Sequence, residues 1–241
     1  MSSTATVKTF ADPETVADAF AAHCAAWLAT TQATPITIAL SGGTTPKLLF
    51  TRLATQYADK IDWSRLHFFW GDERCVPPTD PESNFQSCKE RLLDHIDIPS
   101  ENIHRIMGES DPAKECDRYE EVIRQYVGVD EQGFPRFDLM LLGMGDDGHT
   151  ASIFPDAMQF LTSDRICEVA THPVTGQQRI TLTGRVINHA SQIVFLVTGS
   201  SKASVLAQVI HKTGDYVRFP ASHVVGNELE FYIDHAAAAR L

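Results

Sequence analysis

The chain has 241 residues, 43% hydrophobic and 21% charged, enough for one substantial core that needs no disulfide or metal staple. Its 31 acidic against 20 basic side chains leave a formal charge of −11, which argues against a nucleic-acid surface. Any anionic ligand must therefore be met by a local cluster of basic groups, and the five widely spaced cysteines, with no C-x-x-C pair, read as reduced thiols rather than a disulfide or zinc framework.

Asp12, Glu14 and Asp18 interrupt the alanine-rich N-terminal stretch and no basic leader precedes them, so neither a signal peptide nor a membrane span is expected, and the expected compartment is cytoplasmic. Asp12-Pro13-Glu14 is a helix start, and Val16, Phe20, His23 and Trp27 recur at helical spacing to about residue 29. ITIAL at 36–40 is a short apolar strand running into SGGTTPK, after which Leu48, Leu49, Leu53 and Tyr57 mark a helix. LHFFW at 66–70 is the next strand; it ends in Gly71-Asp72-Glu73-Arg74 and a proline-rich loop to Ser83, with a helix resuming at Asn84. A helix over 113–127 and a glycine-rich surface turn near Gly128 to Gly133 follow. The unbroken apolar run at 139–142 reads as a strand buried on both faces. Strands at 179–182, 193–197 and 229–233, with a helix over 201–210, complete the series. Strands alternate with helices and neither a repeat nor a long linker divides the chain, which predicts one doubly wound α/β domain over 1–241.

Chemistry is expected beyond the carboxyl ends of the strands, where ligands bind in open α/β sheets. Gly143, Gly145 and Gly148 spell G-x-G-x-x-G after a strand, but Asp146 and Asp147 put two negative charges where a pyrophosphate would sit, so a dinucleotide is disfavoured. His149, two residues after Asp147, suits proton abstraction from water near neutral pH, and Asp147 is expected either to fix its tautomer or to bind a sugar hydroxyl. Ser41, Gly42, Gly43 and Thr44 lie between a strand and a helix and read as a phosphate cradle; the nucleoside-triphosphate spacing is missing, which favours a phosphate monoester, and a plain tight turn is the alternative. Asp72, Glu73 and Arg74 should face solvent or a ligand, with Arg74 pairing a phosphate or an oxyanion, or else form a local salt-bridged strand end. Lys202 in GSSKA is a point charge for phosphate at a strand–helix junction, and Arg179 and Arg185 flank RITLTGR. Cys75 beside Arg74 invites a lowered thiol pKa. No G-x-S-x-G elbow supports a serine esterase, and no H-E-x-x-H or Cys/His cluster supports a metal.

Taken in order, SGGTTP, GDERCVPPTDPESNF, LLGMGDDGHTASIFP, RITLT and GSSKA resemble the 6-phosphogluconolactonase family over nearly the whole chain. The resemblance implies a Rossmann-like three-layer α/β/α fold with a mostly parallel sheet, of the glucosamine-6-phosphate deaminase, ribose-5-phosphate isomerase and CoA-transferase kind. It also implies hydrolysis of 6-phospho-D-glucono-1,5-lactone to 6-phospho-D-gluconate in the oxidative pentose phosphate pathway. The related deaminases read DGHIAFNEP where this chain reads DGHTASIFP, so Phe154 stands in place of their glutamate and cannot supply a proton. An amino-sugar-phosphate isomerase and a non-catalytic sugar-phosphate sensor are the alternatives. In the hydrolytic reading His149 is the base, Asp147 orients it, and Arg74 serves the oxyanion or the phosphate. Ser41, Gly42, Gly43, Thr44, Asp72, Arg179 and Lys202 bind the substrate. A lactone carbonyl is already electrophilic, so no metal or organic cofactor is expected; the expected partner is a small sugar phosphate, with no nucleic acid and no membrane, and the chain is expected to be a monomer. Asp234 in the closing FYIDHAAAARL is expected to be structural.

Overall fold

The computed structural model describes residues 5–129, 131 and 133–241. In chain order its elements are β1 (Thr6–Phe10), α1 (Pro13–Thr30), β2 (Ile36–Leu40), α2 (Thr44–Gln56), β3 (Leu66–Trp70), β4 (Asp72–Arg74), α3 (Asn84–Arg91) and α4 (Pro112–Tyr126). There follow β5 (Leu139–Leu142), β6 (Cys167–Thr171), β7 (Gln178–Leu182), α5 (Gly184–His189), β8 (Gln192–Val197), α6 (Ala203–His211) and β9 (Glu228–Asp234). Local chemistry accounts for the start of α1. The Asp12 carboxylate accepts from the Thr15 N–H at 2.8 Å while the Thr15 hydroxyl accepts from the Asp12 N–H at 3.0 Å, and Pro13 occupies the first turn, where its missing donor costs nothing.

Six strands form one parallel sheet in the order β1-β9-β8-β5-β2-β3. Every residue of β2 and β5 is buried, because helices cover both faces. On one face Ile38, Leu40, Phe68 and Leu141 pack against Phe20 of α1 and Leu49 and Phe50 of α2. On the other, Phe69 meets Phe137 edge to face at 5.3 Å, and Tyr119 of α4 both donates to the Trp70 carbonyl (3.0 Å) and accepts from its N–H (2.8 Å). The three-layer α/β/α architecture with a mostly parallel sheet is therefore present.

Two expectations change in detail. The polar residues Asp72 to Arg74 are not a salt-bridged end of the 66–70 strand: they form β4, which pairs antiparallel with β7, and β7 with β6, in a separate three-stranded sheet. The predicted strand at 179–182 therefore lies outside the main sheet. The elements β1, β6 and α5, for which the sequence offered no signal, are a half-exposed edge strand, a second short strand and a helix of six residues. At the predicted 201–210 helix, a 3₁₀ turn over Ser200–Lys202 precedes α6. The turn expected near Gly128 to Gly133 lies partly outside the described residues. Among those described, no helix is long and apolar enough to cross a membrane.

Candidate active site

From β2 the chain passes through α2 to its neighbour β3, and from β3 it returns across β2 to β5, so the strand order reverses between β2 and β5. The loops leaving these two strands diverge and open a crevice, the usual ligand position in such sheets. A cleft of about 290 Å³ lies there, bordered by the loops after β2, β5 and β8 and by β4 and β7.

The loop after β5 is a tight turn, with the Gly145 N–H donating to the His149 carbonyl at 2.9 Å and the Gly148 N–H to the Gly145 carbonyl at 3.1 Å. No α-helix opens behind it, so the G-x-G-x-x-G resemblance to a dinucleotide site ends at the spacing. The glycines serve other needs. Gly148 adopts φ +79°, and a Cβ on Gly145 would fall 2.1 Å from His149 Nδ1 and 2.5 Å from Asp147 Oδ1, because the two side chains meet directly over it.

Asp147 Oδ1 and His149 Nδ1 are 2.6 Å apart, and the same carboxylate oxygen accepts from the His149 backbone N–H at 3.1 Å. Burial pushes the Asp147 carboxyl up, but the histidine ring's hydrogen bond and charge outweigh burial and hold it down at about 2. An ionised Asp147 accepts only, so Nδ1 carries a ring proton, and in the neutral imidazole the lone pair is on Nε2. His149 lines the cleft, and among the described residues Nε2 has no protein hydrogen-bond partner. Phe154, fully buried, contacts the His149 ring at 4.9 Å on one side and the Arg179 guanidinium at 5.6 Å on another.

Across the cleft, Ser41, Gly42 and Gly43 lead into the N-terminus of α2, which starts at Thr44. Gly43 holds φ +107°, and a Cβ on Gly42 would lie 1.9 Å from Asn84 Oδ1, so the chain approaches Asn84 more closely than any side chain permits. The Thr45 and Thr198 hydroxyls meet at 2.8 Å and join the loops after β2 and β8. Backbone donors and the positive end of the α2 dipole therefore face the cavity.

Three cations complete the lining: Arg74, Arg179 and Lys202. Arg74 and Arg179 are directly opposed in the β4–β7 register, a like-charge pairing that an anion between them would offset. Burial, followed by the charge of Arg74, lowers the Arg179 pKa. The Arg74 guanidinium donates to the Glu82 carbonyl, and its buried Nε has no partner among the described residues. Lys202 pairs with Asp146 at 2.6 Å. Arg185, the other arginine flanking RITLTGR, pairs with Asp164 at 2.5 Å and does not line the cleft.

The acidic residues beside Arg74 face inward rather than toward solvent. Asp72 lines the cleft, buried, and accepts from the Ser152 hydroxyl at 2.6 Å. Glu73 is 2% exposed and accepts from the N–H groups of Arg74 (2.8 Å), Asn84 (2.7 Å) and Phe85 (2.8 Å) and from the Ser83 hydroxyl (3.0 Å). Burial raises its pKa against the pull of these bonds. Glu73 thereby ties β4 to the start of α3. The lowered thiol pKa expected for Cys75 is overturned: burial, with Glu73 and Glu115 nearby, pushes it up to about 11. Asp234 accepts from the Gly199 N–H at 3.0 and 3.1 Å and from Ala237 at 2.7 Å, so it anchors the turn that carries Lys202. Sequence reasoning missed Asn84, Thr45 and Thr198; the asparagine lay inside the ESNF stretch, but no local signal marks its contact with Gly42.

Fold and cleft together define an α/β protein with a histidine–aspartate pair and a cation-lined cleft at its topological switch point. Residues 11–232 match the family described as glucosamine-6-phosphate isomerases/6-phosphogluconolactonase, and the chain belongs to it. It is 45% identical over 212 residues to a 6-phosphogluconolactonase of Haemophilus influenzae, covering 86% of this chain and 88% of that one. The crystal structure of devB protein superposes with a TM-score of 0.92 at 40% identity, covering 98% of this chain and 99% of the other. The 6-phosphogluconolactonase of Trypanosoma brucei does so with a TM-score of 0.87 at 27% identity, covering 98% of both.

Proposed function

We propose that this chain, acting as a single domain, hydrolyses 6-phospho-D-glucono-1,5-lactone to 6-phospho-D-gluconate in the oxidative pentose phosphate pathway. The observation that carries the reading is the Asp147–His149 pair, 2.6 Å apart, beside a cleft lined by three cations. The relatives named 6-phosphogluconolactonase support the same substrate.

In this reading the phosphate sits at the α2 N-terminus against Gly42, Gly43, Thr44 and Lys202, and its binding energy fixes the lactone for attack. His149 Nε2 takes a proton from water as the water oxygen bonds to C1, and negative charge develops on the former carbonyl oxygen. Collapse breaks the bond from C1 to the ring oxygen; His149 returns its proton to that oxygen, and the new carboxylic acid then ionises. The Arg179 guanidinium, 5.6 Å from the Phe154 ring that also contacts the base, meets the oxyanion, whereas Arg74, held at the Glu82 carbonyl, serves the phosphate. This reverses the division favoured from sequence. Ser41 and Asp72 shape the wall between them. The net charge of −11 and the free thiols support a cytoplasmic, monomeric enzyme without a nucleic-acid or membrane partner.

The test supplies freshly made lactone and records acid release above the spontaneous rate, with glucosamine 6-phosphate and ammonia release in parallel. Rapid acid release and no ammonia support the proposal. Ammonia release, or binding of the sugar phosphate with neither reaction, would overturn it in favour of an isomerase or a sensor.

A further inference from the structure

The loop after β5 carries two adjacent aspartates, and only Asp147 has a part in the proposed reaction. Asp146 turns the other way. Its Oδ1 lies 2.6 Å from Lys202 Nζ and accepts from the Ser201 hydroxyl at 3.0 Å, so one carboxylate is held by two consecutive residues of the turn after β8. That turn is itself fixed, through the Gly199 N–H, by the buried Asp234 carboxylate. The Lys202 side chain is 23% exposed and lines the cleft, while Asp146 is 65% exposed and does not. Among the described residues Lys202 has no other ionic partner. The ammonium that faces the cavity is thus already neutralised from its outer side.

We propose that Asp146 is a built-in counter-ion that competes with the substrate's phosphate for Lys202 and so sets the affinity of the cleft for phosphorylated sugars. The inference rests on the phosphate reading of the cleft given above. A phosphate dianion entering beside Lys202 must displace the carboxylate or share the ammonium with it, and in either case the ion pair weakens binding. Asp146 is ionised at neutral pH like any exposed aspartate, and the Lys202 hydrogen bond lowers its pKa further. For a pair this exposed, the weakening is about twofold to fivefold. It acts equally on substrate and product, since both carry the 6-phosphate, and it leaves recognition of the sugar itself alone. Asp146 is a positioning residue: it touches the lysine rather than the substrate.

The experiment is a double-mutant cycle read by calorimetric binding of 6-phospho-D-gluconate, inorganic phosphate and unphosphorylated D-gluconate to the full chain. Asp146→Asn is expected to tighten both phosphate-bearing probes about twofold to fivefold and to leave gluconate unchanged. Lys202→Ala is expected to weaken both about tenfold or more, and adding Asp146→Asn to it should then change binding less than about twofold. Weaker or unaltered phosphate binding by Asp146→Asn overturns the competition. Equal tightening with and without Lys202 also overturns it, because the carboxylate would then act on the phosphate directly. A Lys202→Ala variant that binds phosphate like the wild type overturns the phosphate reading itself, which separates that failure from the failure of this inference.

Discussion

Asp147→Asn separates the catalytic part played by the carboxylate from its structural part. The shift of its carboxyl from 3.8 to about 2 is equivalent to ~2.5 kcal/mol, and because 44% of the side chain is exposed, solvent screening reduces the contribution to about 1 kcal/mol. The folded-state pKa is depressed, so this stability is present above pH ~4 and disappears as the pH falls through about 2. The catalytic loss should be much larger. An asparagine amide can turn its N–H toward Nδ1, which drives the ring proton onto Nε2 and removes the lone pair that takes the proton from water; kcat should fall by about 10²–10⁴ while KM changes little. The assay is stopped-flow acid release from fresh lactone with the spontaneous rate subtracted, paired with urea denaturation at pH 7 and pH 2. A folded variant that turns over within about twofold of wild type would refute the assigned tautomer and the role of Asp147 with it.

Gly145→Ala should lower kcat more than tenfold and cost about 1–3 kcal/mol of stability, because the new methyl must displace a ring nitrogen lying 2.1 Å away; urea midpoints and kcat measured together test this. Arg179→Gln should act chiefly on kcat and Arg74→Gln chiefly on KM, and steady-state kinetics showing the opposite split would exchange the two assignments.

The parallel sheet was legible where residues speak for themselves: LMLL at 139–142 has no polar alternation because both its faces are buried, and the glycine loops after β2 and β5 advertise backbone that must turn sharply. What stayed hidden depends on distant partners. Arg74 and Arg179 become neighbours only through the antiparallel pairing of a three-residue strand, and no local pattern in GDER or QRITL announces that register. The edge strand β1 is half exposed and finds its partner β9 at the far end of the chain, so TVKTF lacks the apolar run that marked the central strands. Asn84 acts by filling the space Gly42 leaves empty, a steric role with no sequence motif of its own. The Cys75 reading failed for the same reason. A neighbouring arginine was visible in the sequence, but the burial that raises the thiol was not.

The central claim is that His149, held by Asp147, is the base that activates water. Its most direct test is kcat for fresh 6-phosphogluconolactone with His149→Asn at neutral pH, together with the Kd for 6-phospho-D-gluconate as a check that the cleft is intact. The account predicts kcat lower by about 10²–10⁴ with product affinity nearly unchanged. Near-normal turnover by the folded variant would contradict it.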